Sequence, residues 1–266
     1  MFRENALKEK LRRGEKPLGC WVFMSGGDTT ELLSLTVFDA FIIDHEHTFA
    51  SPQTLIDQMR AAQASETTCI VRVPSDDPVT IKRIIDTGIE GVLVPTVETA
   101  EQARNVVAAC RYRPHGGHRG VGYPESRAAD WGLKEVDYPA RYRERLLIAV
   151  LVETRLGVEN VEEIVAVDGI DMLFPGTGDL LADLVDGFDE LAGYGSYEHD
   201  ELSALVGKVE ATVKQSSKWL GGVARGVAGA KQLLERGYDF VTPTADSWLL
   251  ADAAKQVLAD MRRVDA

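Results

Sequence analysis

Short apolar runs rich in Val, Ile and Leu recur along the chain, at 18–23, 39–43, 68–73, 91–95, 146–152, 170–174, 218–223 and 238–242. Between them the apolar spacing lengthens to that of an amphipathic helix, over 30–35, 51–64, 78–87, 99–109, 157–166, 201–215, 228–236 and 247–262. The first pattern predicts strands buried on both faces, and the second predicts the helices that cover them. Alternation of this kind calls for a parallel sheet, and eight strand–helix pairs suit a closed barrel better than an open sheet. Helix-start residues support the boundaries: Asp28 and Thr29 before the first helix, Ser51-Pro52 before the second, Asp77-Pro78 before the third. Two connections are longer than the rest, 111–145 and an acidic, Gly- and Tyr-containing insert at 180–199, and loops of that length are usually functional or disordered. No repeat, low-complexity tract or linker divides the chain. Residues 1–266 therefore read as a single (β/α)8 TIM barrel domain.

In such a barrel the carboxyl ends of the strands meet at one mouth, where catalytic side chains gather. His47, Arg72, Glu153 and Asp179 each follow an apolar run and precede a helical pattern. Glu153 and Asp179 could each simply cap a helix, but as a pair of carboxylates at strand ends they repel unless a cation sits between them, and Mg²⁺ or Mn²⁺ prefers such oxygen ligands. A glycosidase carboxylate pair fits less well, since an aromatic content of 7% is low for a sugar-lining cleft. His47 is a candidate acid/base, with Asp44, Glu46 and Asp86 as possible carboxylates to orient its imidazole and His45 two positions earlier. Arg72 needs an anion, either a substrate carboxylate or a structural partner such as Asp44 or Glu153. Arg225 ends the seventh strand and faces the same mouth. The Gly-rich segments 116–120 and 221–226 have no dinucleotide or P-loop spacing and read as a turn or a close-packed strand.

A net charge of −13 argues against nucleic-acid binding and means that an anionic substrate must be captured by local cations or a metal. No apolar stretch approaches the ~20 residues needed to span a bilayer, and the mixed-charge start of the chain lacks a signal region. Cys20, Cys69 and Cys110 lie in apolar surroundings without paired spacing, as expected of reduced core residues in a cytoplasmic protein.

The ordered set Ile43-Asp44-His45-Glu46-His47, Val71-Arg72-Val73-Pro74 with Asp77-Pro78, Ile84-Ile85-Asp86-Thr87-Gly88, Val92-Leu93-Val94-Pro95, Arg111-Tyr112 with Arg119-Gly120-Val121-Gly122, Val152-Glu153-Thr154-Arg155 and Gly176-Thr177-Gly178-Asp179-Leu180 resembles the metal-dependent class II pyruvate aldolases of the HpcH/HpaI family. That resemblance implies a TIM barrel of the phosphoenolpyruvate/pyruvate-binding type, assembled as a hexamer (a trimer of dimers) with exchange of the C-terminal helix. It implies a divalent cofactor, Mg²⁺, Mn²⁺ or Co²⁺, on Glu153 and Asp179, with a 2-oxo acid such as pyruvate chelated to it. Arg72 would stabilise the enolate. His47, oriented by Asp86 or Asp44, would be acid/base on the hydroxyl of the cleaved bond. Trp21, Thr177, Gly178 and Asp179 would bind substrate, and Arg225, which is not part of the family pattern, would bind a distal anionic or hydroxylated group of the acceptor. The implied reaction cleaves a 4-hydroxy-2-oxo acid to pyruvate and an aldehyde; the alternative is oxaloacetate decarboxylation with trapping of the enolate, as in macrophomate synthase. A non-catalytic barrel ranks last, since no proposed ligand or base is missing. The chain departs from the family pattern at Leu151, where Gln is frequent, at Thr177 and Gly178, where Pro-Ala is usual, and at Tyr123 and Arg225.

Overall fold

The structure is a computed structural model, and it describes residues 3–191 and 199–264. Part of the insert expected at 180–199 lies outside these residues. Eight parallel strands close in sequence order: β1 Leu18–Val22, β2 Ala40–Asp44, β3 Thr68–Arg72, β4 Gly91–Val94, β5 Leu147–Val152, β6 Met172–Pro175, β7 Trp219–Val223 and β8 Phe240–Ala245. The helices are α1 Ala6–Arg12, α2 Gly27–Ser34, α3 Pro52–Ala62, α4 Pro78–Asp86, α5 Ala100–Cys110, α6 Asp137–Arg145, α7 Arg155–Glu159, α8 Val161–Val165, α9 Thr177–Ala182, α10 Asp200–Lys214, α11 Gly226–Glu235 and α12 Asp246–Val264. Every expected strand lies within a few residues of its place, and the barrel is confirmed. The single helix expected over 157–166 is broken at Asn160 into α7 and α8. Ser51 and Asp77 cap α3 and α4 as expected, whereas α2 starts earlier, at Gly27 after an N-cap at Gly26, so Asp28 and Thr29 lie inside it. α1 and α6 were not expected; α6 is too charged to show an apolar stripe.

The period-2 alternation of strands divides the core in two. Phe41, Ile43, Val71, Val92, Val94, Val150 and Val152 point outward against the helices. Trp21, Ile42, Ile70, Leu93, Leu147, Ala149, Leu151, Phe174 and Phe240 fill the interior together with Leu7 and Leu11 of α1. Phe174 and Phe240 meet edge to face, their centroids 6.1 Å apart. Their rings fit only because the facing strand positions lack side chains: a Cβ on Gly221 would lie 2.4 Å from Phe174, and one on Gly19 would lie 2.5 Å from Phe240. Gly221 is thus a close-packed strand residue, while Gly116, at φ 78°, ends a turn.

The amino-terminal segment seals the other end of the barrel in a repeating way. A carboxylate just before each even strand accepts a backbone N–H from the first or second residue of the preceding odd strand: Asp39 from Leu18 (2.7 Å), Glu90 from Cys69 (2.8 Å), Asp171 from Ile148 (2.9 Å) and Asp239 from Leu220 (2.9 Å). The same four carboxylates each take a cation from residues 3–16. Lys10 pairs with Asp39, Arg3 with Glu90 at 2.6 Å, Lys8 with Asp171 at 3.0 Å and Lys16 with Asp239 at 2.8 Å. Each carboxylate thus satisfies an otherwise orphaned edge amide and is itself neutralised.

α12 behaves differently from the other helices. Asp246 anchors its first turn by accepting the backbone N–H groups of Phe23 and Met24, at 3.0 and 2.9 Å. Farther along, Leu250, Val257, Leu258 and Met261 form one apolar stripe, each residue more than half exposed. No helix among the described residues is long and apolar enough to cross a membrane. The three cysteines are free and buried, and burial pushes their thiols up to about 12.

Candidate active site

Strand phase decides which side chains reach the mouth. Inward positions run Ala40, Ile42, Asp44 on β2; Thr68, Ile70, Arg72 on β3; and Leu147, Ala149, Leu151 on β5, so Glu153 follows one step beyond that strand's end. Trp21 is in the same phase on β1. These residues are therefore delivered to one place by the alternation that also builds the interior. A cavity open to solvent lies there; Trp21, Arg72, Glu153, Thr177, Gly178, Asp179 and Arg225 all line it.

Arg72 is held on three sides. Its Nε donates to Asp44 Oδ1 at 2.7 Å, its Nη1 lies 3.1 Å from Glu46 Oε2, and its guanidinium stacks over Trp21 at 4.7 Å from the ring centroid. Trp21 is fixed in turn by its indole N–H, which donates to Thr242 Oγ1 at 2.9 Å. Asp44 also accepts the backbone N–H groups of Glu46 (3.2 Å) and His47 (3.1 Å), so one buried carboxylate sets both the arginine and the loop that carries the base.

Glu153 is buried, and no cationic side chain among the described residues is bonded to it. Its Oε1 accepts the backbone N–H (2.7 Å) and the hydroxyl (3.0 Å) of Thr96. Thr96 holds a left-handed φ of 51°, a strained conformation that aims both donors at the carboxylate. Oε2 points toward Gly176, where a Cβ would approach to 2.4 Å; the glycine keeps that side of the oxygen clear. Burial pushes the Glu153 carboxyl up from its ordinary value, Thr96 opposes this, and the negative charges of Asp179 and Glu46 push it further up. Glu46 is raised too, by burial first and by Asp44 and Asp179, against the pull of Arg72 and His47. Asp179, in the first turn of α9, is exposed.

A mouth with carboxylates raised by burial and by one another is short of positive charge. Among the described residues no group of three or more His, Cys, Asp or Glu side chains has metal-binding geometry. Glu153 and Asp179 could therefore offer a hard cation two oxygen donors and leave its other positions to water and substrate, a division typical of Mg²⁺ sites. The raised Glu153 carboxyl and the cleared Oε2 fit such an ion.

Two expected roles change. Asp86 does not join the site within the chain: it is the last residue of α4, which runs back from the mouth after β3, and its carboxylate pairs with buried Arg119 instead of His47. Asp44 does not orient the His47 imidazole either, because its oxygens are taken by Arg72 and by backbone amides. The imidazole is exposed, and its Nε2 lies 3.6 Å from Glu46 Oε2. Glu46, one of three carboxylates the sequence offers as partners for His47, links base and arginine, while the contributions of Thr96 and Gly176 emerge only from the structure. The clues were present in Asp44-His45-Glu46-His47 and in the Pro95-Thr96 step after β4, but a positive φ at Thr96 has no signature in residue type.

A closed parallel barrel with a braced arginine facing buried carboxylates across a cavity at its strand ends defines a TIM-barrel enzyme. The sequence pattern of the HpcH/HpaI aldolase/citrate lyase family matches residues 18–253. The chain is 36% identical over 246 residues to a hydroxypyruvate/pyruvate aldolase of Chromohalobacter salexigens, covering 92% of this chain and 93% of that one. It is 35% identical to a 4-hydroxy-2-oxo-heptane-1,7-dioate aldolase of Shigella sonnei, covering 96% and 94%. A solved HpcH/HpaI aldolase/citrate lyase family protein from Burkholderia cenocepacia superposes with a TM-score of 0.89 at 32% identity, covering 97% of this chain and 99% of that one. The chain belongs to the HpcH/HpaI aldolase/citrate lyase family, and it is a carbon–carbon lyase of the aldolase type.

Proposed function

We propose that this chain catalyses the reversible cleavage of 4-hydroxy-2-oxo acids to pyruvate and an aldehyde, with a divalent cation on Glu153 and Asp179. The observation that carries this reading is the buried, raised Glu153 carboxyl, crowded by the charges of Asp179 and Glu46 and lining one cavity with Arg72. When bound, the cation supplies Lewis-acid polarisation of a 2-oxo acid. Arg72, already aligned by Asp44 and Trp21, donates to the keto oxygen as it becomes an enolate oxygen. In cleavage His47 takes the 4-hydroxyl proton through a bridging water, the C3–C4 bond breaks to give the aldehyde and the enolate of pyruvate, and the imidazolium returns a proton through water to C3, regenerating neutral His47. Glu46 favours the imidazolium formed on the way. Thr177 and Gly178 line the cavity beside Asp179 and hold the substrate carboxylate.

Pyruvate release from 4-hydroxy-2-oxo acids tests the reading. Turnover is expected to vanish on treatment with a chelator and to return with Mg²⁺, Mn²⁺ or Co²⁺. Release that survives exhaustive chelation refutes the cation, and release from oxaloacetate alone moves the enzyme to decarboxylation.

The apolar stripe on α12 supports the further proposal that this helix packs against another copy of the chain in a homo-oligomer, in keeping with a hexamer of exchanged helices. Light scattering is expected to give a mass several times the 29.1 kDa of one chain. Substituting Leu250, Val257 and Leu258 with Glu is expected to reduce it; a monomeric mass for the unaltered protein rejects this assembly.

A further inference from the structure

One cation at the mouth has no task in this reaction. Arg225 lies two residues beyond the end of β7, caps α11, continues the inward phase of Trp219, Gly221 and Val223, and lines the same cavity as Arg72. Its guanidinium lies over the ring of Trp248, 5.0 Å from the centroid. From Trp248 the aromatic contacts continue to Phe23 (6.2 Å) and from Phe23 to Trp21, stacked at 5.6 Å with 15° between the planes. Arg72 stacks on the far end of this row. Three rings therefore form one wall, with a guanidinium at each end.

The two guanidiniums are not equivalent. Arg72 is committed to Asp44 and Glu46 at 2.7 and 3.1 Å. The carboxylate nearest Arg225, that of Asp252, stands 3.8 Å away, too far for a hydrogen bond, and is 59% exposed. An ion pair so exposed holds an arginine weakly, and a guanidinium carries five donors in a planar fork suited to carboxylate or phosphate. The stack on Trp248 restricts the head without using those donors. In a chain of net charge −13, with acidic groups around the reacting end, a local cation is what would draw in an anionic tail. A purely structural Arg225, bridging Trp248 and Asp252, would instead leave substrate preference untouched when replaced.

We infer, resting on the aldolase reading, that Arg225 determines acceptor specificity: the aldehyde carries an anionic terminus, reached across a short apolar chain that lies on Phe23 and Trp248. In the synthetic direction C3 of pyruvate loses a proton and bonds to the aldehyde carbon, and the aldehyde oxygen gains a proton. Arg225 takes no part in that exchange; it holds the far end of the acceptor. Terminal carboxylate and terminal phosphate share this chemistry.

The test uses the full chain with divalent cation, pyruvate as donor and three acceptors: succinic semialdehyde, glyceraldehyde 3-phosphate and uncharged butanal. The unaltered enzyme is expected to favour one anionic acceptor over butanal at least about tenfold in kcat/KM. Arg225→Leu is expected to lower kcat/KM for that acceptor about 30-fold, mainly through KM, and to leave butanal within about threefold. Whichever anionic acceptor suffers identifies carboxylate or phosphate. Equal loss on all three acceptors, or no loss on any, overturns the inference. Deuterium exchange at C3 of pyruvate, which needs no acceptor, separates the two readings. Exchange in the unaltered enzyme without an Arg225 effect removes this inference alone, whereas its absence removes the aldolase reading and this inference with it.

Discussion

Glu153→Gln is expected to lower kcat/KM for pyruvate release by at least about 10³-fold, roughly 4 kcal/mol of transition-state stabilisation, while leaving the protein as stable as before or more so. Glutamine keeps the shape of the side chain, and its carbonyl can still accept from the Thr96 amide and hydroxyl that now serve Oε1. What it removes is a buried negative charge that bonds no cationic side chain among the described residues and that Asp179 and Glu46 oppose. Such a charge burdens the fold and is retained for the cation it binds. Stability is read from urea unfolding, cation affinity from titration calorimetry with Mn²⁺, and activity from coupled pyruvate assay. A variant within tenfold of the parent would remove Glu153 from the site. Gly176→Ala is the companion substitution: it changes no charge, but its Cβ would lie 2.4 Å from Glu153 Oε2, so it too is expected to lose most activity.

Arg72→Lys is expected to lower kcat about 10²- to 10³-fold, the range found for loss of a single oxyanion donor, with much less change in KM. Lysine retains the charge but not the fork that reaches Asp44 and Glu46 together, nor the flat face that lies on Trp21. The present alignment is what makes the remaining donors directional. The substitution also exposes a stability problem, because Asp44 is buried and would lose the Nε–H that pairs with it. The double variant Arg72→Met with Asp44→Asn removes both charges and is expected to fold while remaining inactive, which separates catalysis from folding. Steady-state kinetics of Arg72→Lys within threefold of the parent would assign Arg72 a structural role only.

The barrel was legible because its strands are nearly all apolar and its helices amphipathic, so the change of period marks each boundary. Asp44, Arg72 and Glu153 were legible for a related reason: a charged residue in phase with an inward-facing apolar run has only the mouth to occupy. Roles that depend on which partner a side chain finds were less so. Asp86 lies within reach of several basic residues in the sequence, and only the direction of α4 shows that it meets Arg119. Asp44 looked like a partner for histidine until the backbone of 44–47 curled round its oxygens. Neither fact is encoded in residue type or local spacing.

The cations of residues 3–16 are made first, but their sockets are completed one after another as the chain lengthens. The last pair, Lys16 with Asp239, joins residues 223 apart. Chains interrupted before β8 therefore hold a free lysine and an unmatched Leu220 amide at the bottom of an open sheet, and closure of the ring becomes one of the final events of folding. The start of the chain is in this sense the keystone of a structure whose last stone is laid near its end. Affinity tags and fusion partners accordingly belong elsewhere than against Arg3, which already sits in its socket on Glu90.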